Sequence, residues 1–95
     1  MLNQLFDIIT DRQTHPQPGS YTNQLLDEGL DAILQKVGEE AVEVILAAKA
    51  QGRQRLVEEV SDLFYHTLVL LASQGVSLQD IEAELAGRHT APKDR

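Results

Sequence analysis

The amino-acid sequence predicts an all-α protein, and three observations carry that reading. Apolar residues recur at i, i+3, i+4 and i+7 through most of the chain. No window alternates apolar and polar residues as a half-buried strand does. The main turn signals, His15-Pro16-Gln17-Pro18-Gly19-Ser20, Gly52, Gly75 and Pro92, fall between the periodic segments rather than inside them.

Taken in order, Leu2, Leu5, Phe6 and Ile9 mark a first helix that ends near Arg12. Leu25 and Leu26 belong to a short second helix that bends at Gly29. Leu30, Ile33, Leu34, Val37, Ala41, Val44, Ile45 and Ala48 then hold helical spacing over more than five turns. Gly52 and Gly75 follow periodic segments as C′ glycines do. Between them Leu56, Val57, Val60, Leu63, Phe64, Leu68 and Leu71 define a helix from about Arg53 to Ser73. Ser77, with Asp80 three residues on, reads as a capping-box-like start for a last short helix bearing Leu78, Ile81 and Leu85. The whole chain, 1–95, reads as one domain with its core in about 2–88 and a polar tail over 89–95.

The helix from Arg53 to Ser73 carries more than one apolar stripe. Leu63, Val69 and Leu70 lie outside its main arc, and a single neighbour leaves them in water. A chain of 95 residues also builds a thin core, burying only about 60–65% of its unfolded surface. The expected completion is a homodimer in which each chain contributes two long helices to a four-helix core. The alternative is that the short terminal helices cover the surplus.

Composition narrows the function. Cysteine is absent, which removes disulfides, thiolate zinc sites and cysteine catalysis together. Met1 to Thr10 show no basic n-region or small-residue cleavage site. The longest apolar stretch, Leu63 to Ala72, is interrupted by Tyr65, His66 and Thr67 and is too short to span a bilayer. A cytoplasmic protein without membrane contact is expected. A net charge of −7 argues against nucleic-acid binding, which needs a cationic face. A nucleotide ligand stays possible, provided a divalent cation stands between its phosphates and the protein's carboxylates.

Six of the fifteen acids fall in two five-residue windows, Glu39, Glu40 and Glu43, then Glu58, Glu59 and Asp62. At ~100° per residue, Lys36, Glu39, Glu40 and Glu43 occupy one side of their helix, bordering the apolar stripe. Glu59, Asp62 and His66 follow the apolar border of the next helix at i, i+3 and i+7. Glu43 lies nine residues before Gly52 and Glu59 seven after it, so antiparallel packing about that turn brings the two windows level. Crowding like charges at these spacings costs roughly 0.2–0.5 kcal/mol per pair. Oxygen ligation of Mg²⁺ offsets that cost. Two solvated acidic faces are the plain alternative.

These residues also resemble a family. Glu39-Glu40-Ala41-Val42-Glu43, followed after fifteen residues by Glu59-Val60-Ser61-Asp62, is similar to the EExxE…ExxD signature of the all-α nucleotide pyrophosphohydrolases. Within that superfamily the chain most resembles the phosphoribosyl-ATP pyrophosphohydrolases, over about residues 2–88. Gly19-Ser20-Tyr21-Thr22, Glu28-Gly29-Leu30-Asp31, Lys36-Val37-Gly38-Glu39-Glu40 and Leu63-Phe64-Tyr65-His66 carry the likeness. The resemblance implies Mg²⁺-dependent cleavage of phosphoribosyl-ATP between its α- and β-phosphates, in the second step of histidine biosynthesis. It implies Glu40, Glu43, Glu59 and Asp62 as metal ligands, with Glu39 a further ligand or the base that orients the attacking water. The chain departs from the pattern at its C-terminus, Gly87 to Arg95, which lacks the longer tail of many members but keeps Arg88, Lys93 and Arg95.

The other candidates each have two readings. Lys36 holds a substrate phosphate or pairs with Glu40. Ser20, Tyr21 and Thr22 open a helix and contact substrate, or Ser20 or Thr22 simply caps it. Arg12 serves the phosphates or complements the helix dipole. His66 touches metal or substrate, or is a hydrogen-bonded core histidine. Gly38 points away from the acids, as close helix packing explains. Two rivals remain for the function: a house-cleaning nucleoside-triphosphate pyrophosphatase of the same superfamily, and a non-catalytic helical dimerisation module. A di-iron bundle is disfavoured because no Glu-x-x-His pair occurs.

Overall fold

The computed structural model describes residues 1–89. Within them lie five α-helices and no strand: α1 (Leu2–Thr14), α2 (Tyr21–Glu28), α3 (Leu30–Leu46), α4 (Arg53–Ser73) and α5 (Leu78–His89). The polar tail with Pro92, Lys93 and Arg95 is outside the described residues. No helix among the described residues is long and apolar enough to cross a membrane.

Helix ends follow local chemistry. Ser20 caps α2 by accepting from the Asn23 N–H at 3.1 Å. At the end of α4, Val76 N–H donates to the Leu71 carbonyl at 2.9 Å and Gly75 N–H to that of Ala72 at 3.2 Å. This is a Schellman closure, with Gly75 at φ +69°. Ser77 and Asp80 then form the expected reciprocal box, Ser77 N–H to Asp80 Oδ2 at 2.9 Å and Asp80 N–H to Ser77 Oγ at 3.1 Å.

One expectation is extended and another shifts. Gly52 ends the preceding helical segment and serves at the same time as the N-cap of α4, at φ +86° and ψ 173°, a conformation open essentially to glycine alone. The long third segment does not stay α-helical to Ala48: it passes at Ala47 into a π-turn, Ala47–Gln51, whose first residue is fully buried. Together the π-turn and Gly52 fold α4 back on α3, and this hairpin is the main packing of the fold.

The core is Ile9 of α1, Leu25 of α2, Ile33 of α3 and Leu68, Val69 and Ala72 of α4. Leu5, Phe6, Leu26, Tyr65, Leu70, Leu71 and Leu78 pack around it. Val69, expected to lie outside the covered arc, is fully buried within the chain because α1 and α2 reach that side of α4. Several stripe residues of α3 do the opposite. Leu34 and Ile45 stay exposed, as do Val42, Leu46, Val57 and Phe64 of the same hairpin. Gly38 is exposed, and a Cβ there meets nothing within 4 Å, so no close approach inside the chain accounts for it.

Candidate functional site

The hairpin brings acids of α3 and α4 together. One carboxylate oxygen each from Glu40, Glu59 and Asp62 lie within 4.8 Å of one another. Glu59 is buried, Glu40 half-buried and Asp62 exposed, so the group opens to solvent on one side. Burial raises the Glu40 carboxyl above the ordinary range, and the nearby Glu59 and Asp62 carboxylates add to it, against a smaller pull from Lys36. Three hard oxygen donors that repel one another, in a chain without cysteine, fit a Mg²⁺-type cation.

The remaining acids stand around this group. Glu43 is half-buried one turn along α3 and is not among the three that converge. Glu39 is exposed, accepting from Gln35 Nε2 at 3.0 Å and pairing with Lys36 Nζ at 3.5 Å. Its carboxyl is lowered by the Gln35 hydrogen bond first, then by Lys36. Lys36 therefore pairs with Glu39, not with Glu40, whose carboxylate turns inward to Glu59. Burial pulls the Lys36 ammonium down, but Tyr21, Glu39 and Glu40 outweigh it and hold the group above its ordinary value.

A second cluster joins α2 to α4 beside the acids. The Nδ1 of His66 donates to the Asp62 carbonyl at 2.8 Å, since a carbonyl can only accept. In the neutral ring Nε2 is then an acceptor, taking the Tyr21 hydroxyl at 3.0 Å. Both ring nitrogens of the buried His66 are thus engaged, the core-histidine arrangement of the two readings above. Tyr21 stacks on Tyr65 with centroids 6.1 Å apart, and the Tyr65 hydroxyl bonds that of buried Thr22. Burial raises the Tyr21 phenol; Lys36 pulls it back, and charges including Glu40 push it up again. Tyr21, Lys36 and Glu40 are thereby placed in one electrostatic neighbourhood.

Ser20 is occupied with its capping bond. Arg12 lies elsewhere: its guanidinium pairs with Asp11 at 3.3 Å, its carbonyl accepts from Asn23 Nδ2 at 2.8 Å, and it lines a pocket with Pro16, Asn23 and Asp27. Two residues escaped the sequence reading as site members. Tyr65 stood in the quoted Leu63–His66 motif without a role. Arg55 donates to Glu58 at 2.6 Å and to Glu59 at 2.5 Å; its spacing of three and four residues from them was a visible signal.

The chain matches a family model described as phosphoribosyl-ATP pyrophosphohydrolase over residues 2–89. A phosphoribosyl-ATP pyrophosphatase of Listeria monocytogenes is 59% identical over 88 residues, 93% of this chain and 84% of that protein. One from Clostridium acetobutylicum is 48% identical over 89 residues, covering 94% and 81%. A histidine biosynthesis bifunctional protein HisIE of Thermoanaerobacter pseudethanolicus is 52% identical over 84 residues, 88% of this chain but 39% of that longer protein. The family match spans the helices that carry both clusters, and with relatives of this identity the chain belongs to the phosphoribosyl-ATP pyrophosphohydrolase family.

Proposed function

We propose that this chain is a cytoplasmic, Mg²⁺-dependent enzyme that hydrolyses phosphoribosyl-ATP to phosphoribosyl-AMP and pyrophosphate, the second step of histidine biosynthesis. The observation that carries the reading is the convergence of Glu40, Glu59 and Asp62 from two helices in a chain of this family. These three, with Glu43 from the neighbouring turn, would hold the cation. When bound, it neutralises phosphate charge and lowers the pKa of a coordinated water.

The chain's own residues do the rest. Glu39, or Glu40 with its raised carboxyl, would orient the attacking water and take its proton. The water oxygen bonds to phosphorus as the bridging P–O bond between the α- and β-phosphates breaks. Lys36 offers an ammonium to the phosphates. Tyr21, Thr22 and His66 shape the wall next to them, with Ser20 holding the helix start that presents Tyr21 and Thr22. Arg12, which lines a pocket with Asn23 and Asp27, serves the substrate phosphates.

The unit is proposed to be a homodimer of one domain per chain. The exposed Leu34, Val42, Ile45, Leu46, Val57 and Phe64 support a second hairpin packing on the first to complete a four-helix core. Pyrophosphate release is the test, with and without Mg²⁺, on phosphoribosyl-ATP beside ATP, dATP and dUTP. Mg²⁺-dependent turnover of phosphoribosyl-ATP alone is expected. Turnover of the simple triphosphates instead moves the protein to nucleotide-pool cleansing, and no turnover leaves a dimerisation module.

A further inference from the structure

We propose that Arg55 is a resident counter-ion of the carboxylate group, competing with the divalent cation for Glu59 and so setting how tightly the site holds metal. The role rests on the metal reading of Glu40, Glu59 and Asp62. Arg55 sits in the first turn of α4, one turn before Glu59. Its Nη2 donates to Glu59 Oε1 at 2.5 Å and its Nη1 to Glu58 Oε1 at 2.6 Å. The Glu59 side chain is only 8% exposed, against 48% for Arg55. A carboxylate that deep, beside two others, needs a cation, and the chain supplies one from its own helix.

That cation is on the wrong side of a competition once metal arrives. A divalent ion requires the lone pairs of Glu59 and brings positive charge toward the guanidinium. Glu43, the fourth expected ligand, stays outside the convergent group. Binding therefore exchanges one ion pair for another. Glu58 makes that exchange cheap, because it already accepts the second arm of the fork at the exposed rim. Arg55 keeps a partner after Glu59 is released, so no charge is left stranded.

The test is a Mn²⁺ titration of the full chain, read by the electron paramagnetic resonance of free Mn²⁺, on wild type, R55Q and R55K. R55Q is expected to bind about fivefold tighter, the equivalent of one half-exposed ion pair. R55K keeps the charge and stays within roughly twofold of wild type. R55Q should also melt below wild type in EDTA and recover on adding Mn²⁺. Equal or weaker Mn²⁺ binding by R55Q overturns the competition while leaving the metal site standing. R55K as tight as R55Q overturns it too, since charge is then not the cause. Wild type that binds no Mn²⁺ overturns the metal reading and this role with it.

Discussion

Replacing Glu40 with Gln should stabilise the metal-free protein while abolishing its turnover. The oxygens of Glu40, Glu59 and Asp62 lie within 4.8 Å of one another. Two full charges at that separation repel by about 0.9 kcal/mol even at the dielectric constant of water, and more near protein. Glu40 faces two such neighbours, with Lys36 offsetting part of the repulsion and Arg55 part of the charge on Glu59. Removing one charge of nearly the same shape should therefore return about 1–2 kcal/mol, with each kcal/mol raising the melting temperature by about 4–8 °C in a domain of this size. Gln also offers Glu59 an amide N–H, a donor that the ionised carboxylate lacks.

The pH dependence distinguishes this mechanism from a general gain in helix propensity. The folded Glu40 carboxyl sits above 4.5, its unfolded value, so the folded state binds more protons between the two. The stabilisation this gives is fully present below the unfolded value and is lost as pH rises through the folded one. Wild type in EDTA should thus recover stability from pH 7 toward 4.5, whereas E40Q lacks that contribution, so its advantage shrinks on acidification. Thermal melts by circular dichroism in EDTA and in Mg²⁺ provide the assay. Mg²⁺ should stabilise wild type and not E40Q, reversing their order. If E40Q melts at or below wild type in EDTA at pH 7, the carboxylates store no repulsion and the reasoning is refuted.

Three further substitutions probe other parts of the fold. Y21F removes the hydroxyl that satisfies Nε2 of buried His66; urea unfolding should show a loss of about 1–2 kcal/mol, and a loss below about 0.5 kcal/mol would mean the contact is dispensable. Asp80 is held below 3.8 by hydrogen bonds from Ser77, so its contribution exists above that unfolded value and disappears as pH falls through the lower folded one. Amide exchange along α5 should accelerate across that acid window in wild type, while D80A exchanges fast already at neutral pH; equal protection in both rules out the cap. Ile45 is 65% exposed and belongs to the face assigned to the dimer. I45E should shift sedimentation from dimer to monomer with helicity intact, and an unchanged mass would remove that face from the interface.

What the sequence made legible is mostly what is decided within four residues. The Ser20 cap, the Ser77–Asp80 box and the Gly75 closure each involve neighbours along the chain, so spacing alone exposes them. The convergence of the two acidic windows was legible for a related reason, because a tight hairpin converts distance from Gly52 into height along the seam, but that count set Glu43 level with Glu59 and the acid that meets Glu59 and Asp62 is Glu40. Periodicity failed where it must: it reports which side of a helix is apolar and not what covers it. Val69 was expected to need a partner and is buried by α1 and α2, while Leu34 and Ile45, in the main stripe of α3, stay open. The Lys36 pairing turned on one residue, since Glu39 and Glu40 are both in reach and only the tertiary position of Glu59 draws Glu40 inward. Arg55 was passed over because the acids were read as ligands, whose partners were sought in metal rather than in the same helix.

The placement of the site bears on how the molecule is held together. The residues of the buried core that the hairpin supplies, Ile33, Leu68, Val69 and Ala72, lie in the first half of α3 and the second half of α4. The opposite end carries the carboxylates, with Val42, Ile45, Leu46 and Val57 open beside them and Ala47 fully buried at the turn. Among the described residues Ala47 is the one buried apolar side chain of that end, and the carboxylates there repel one another, so it is the part of the hairpin least secured by apolar packing. A cation and a second subunit would each supply what is missing there. Two ligands that both stabilise one marginal segment must favour one another's binding, and by the same factor in each direction. If the hairpin holds a cation and dimerises as proposed, metal loading and dimerisation would be coupled through the α3–α4 end, and Arg55, by neutralising Glu59 within a single chain, would weaken that coupling.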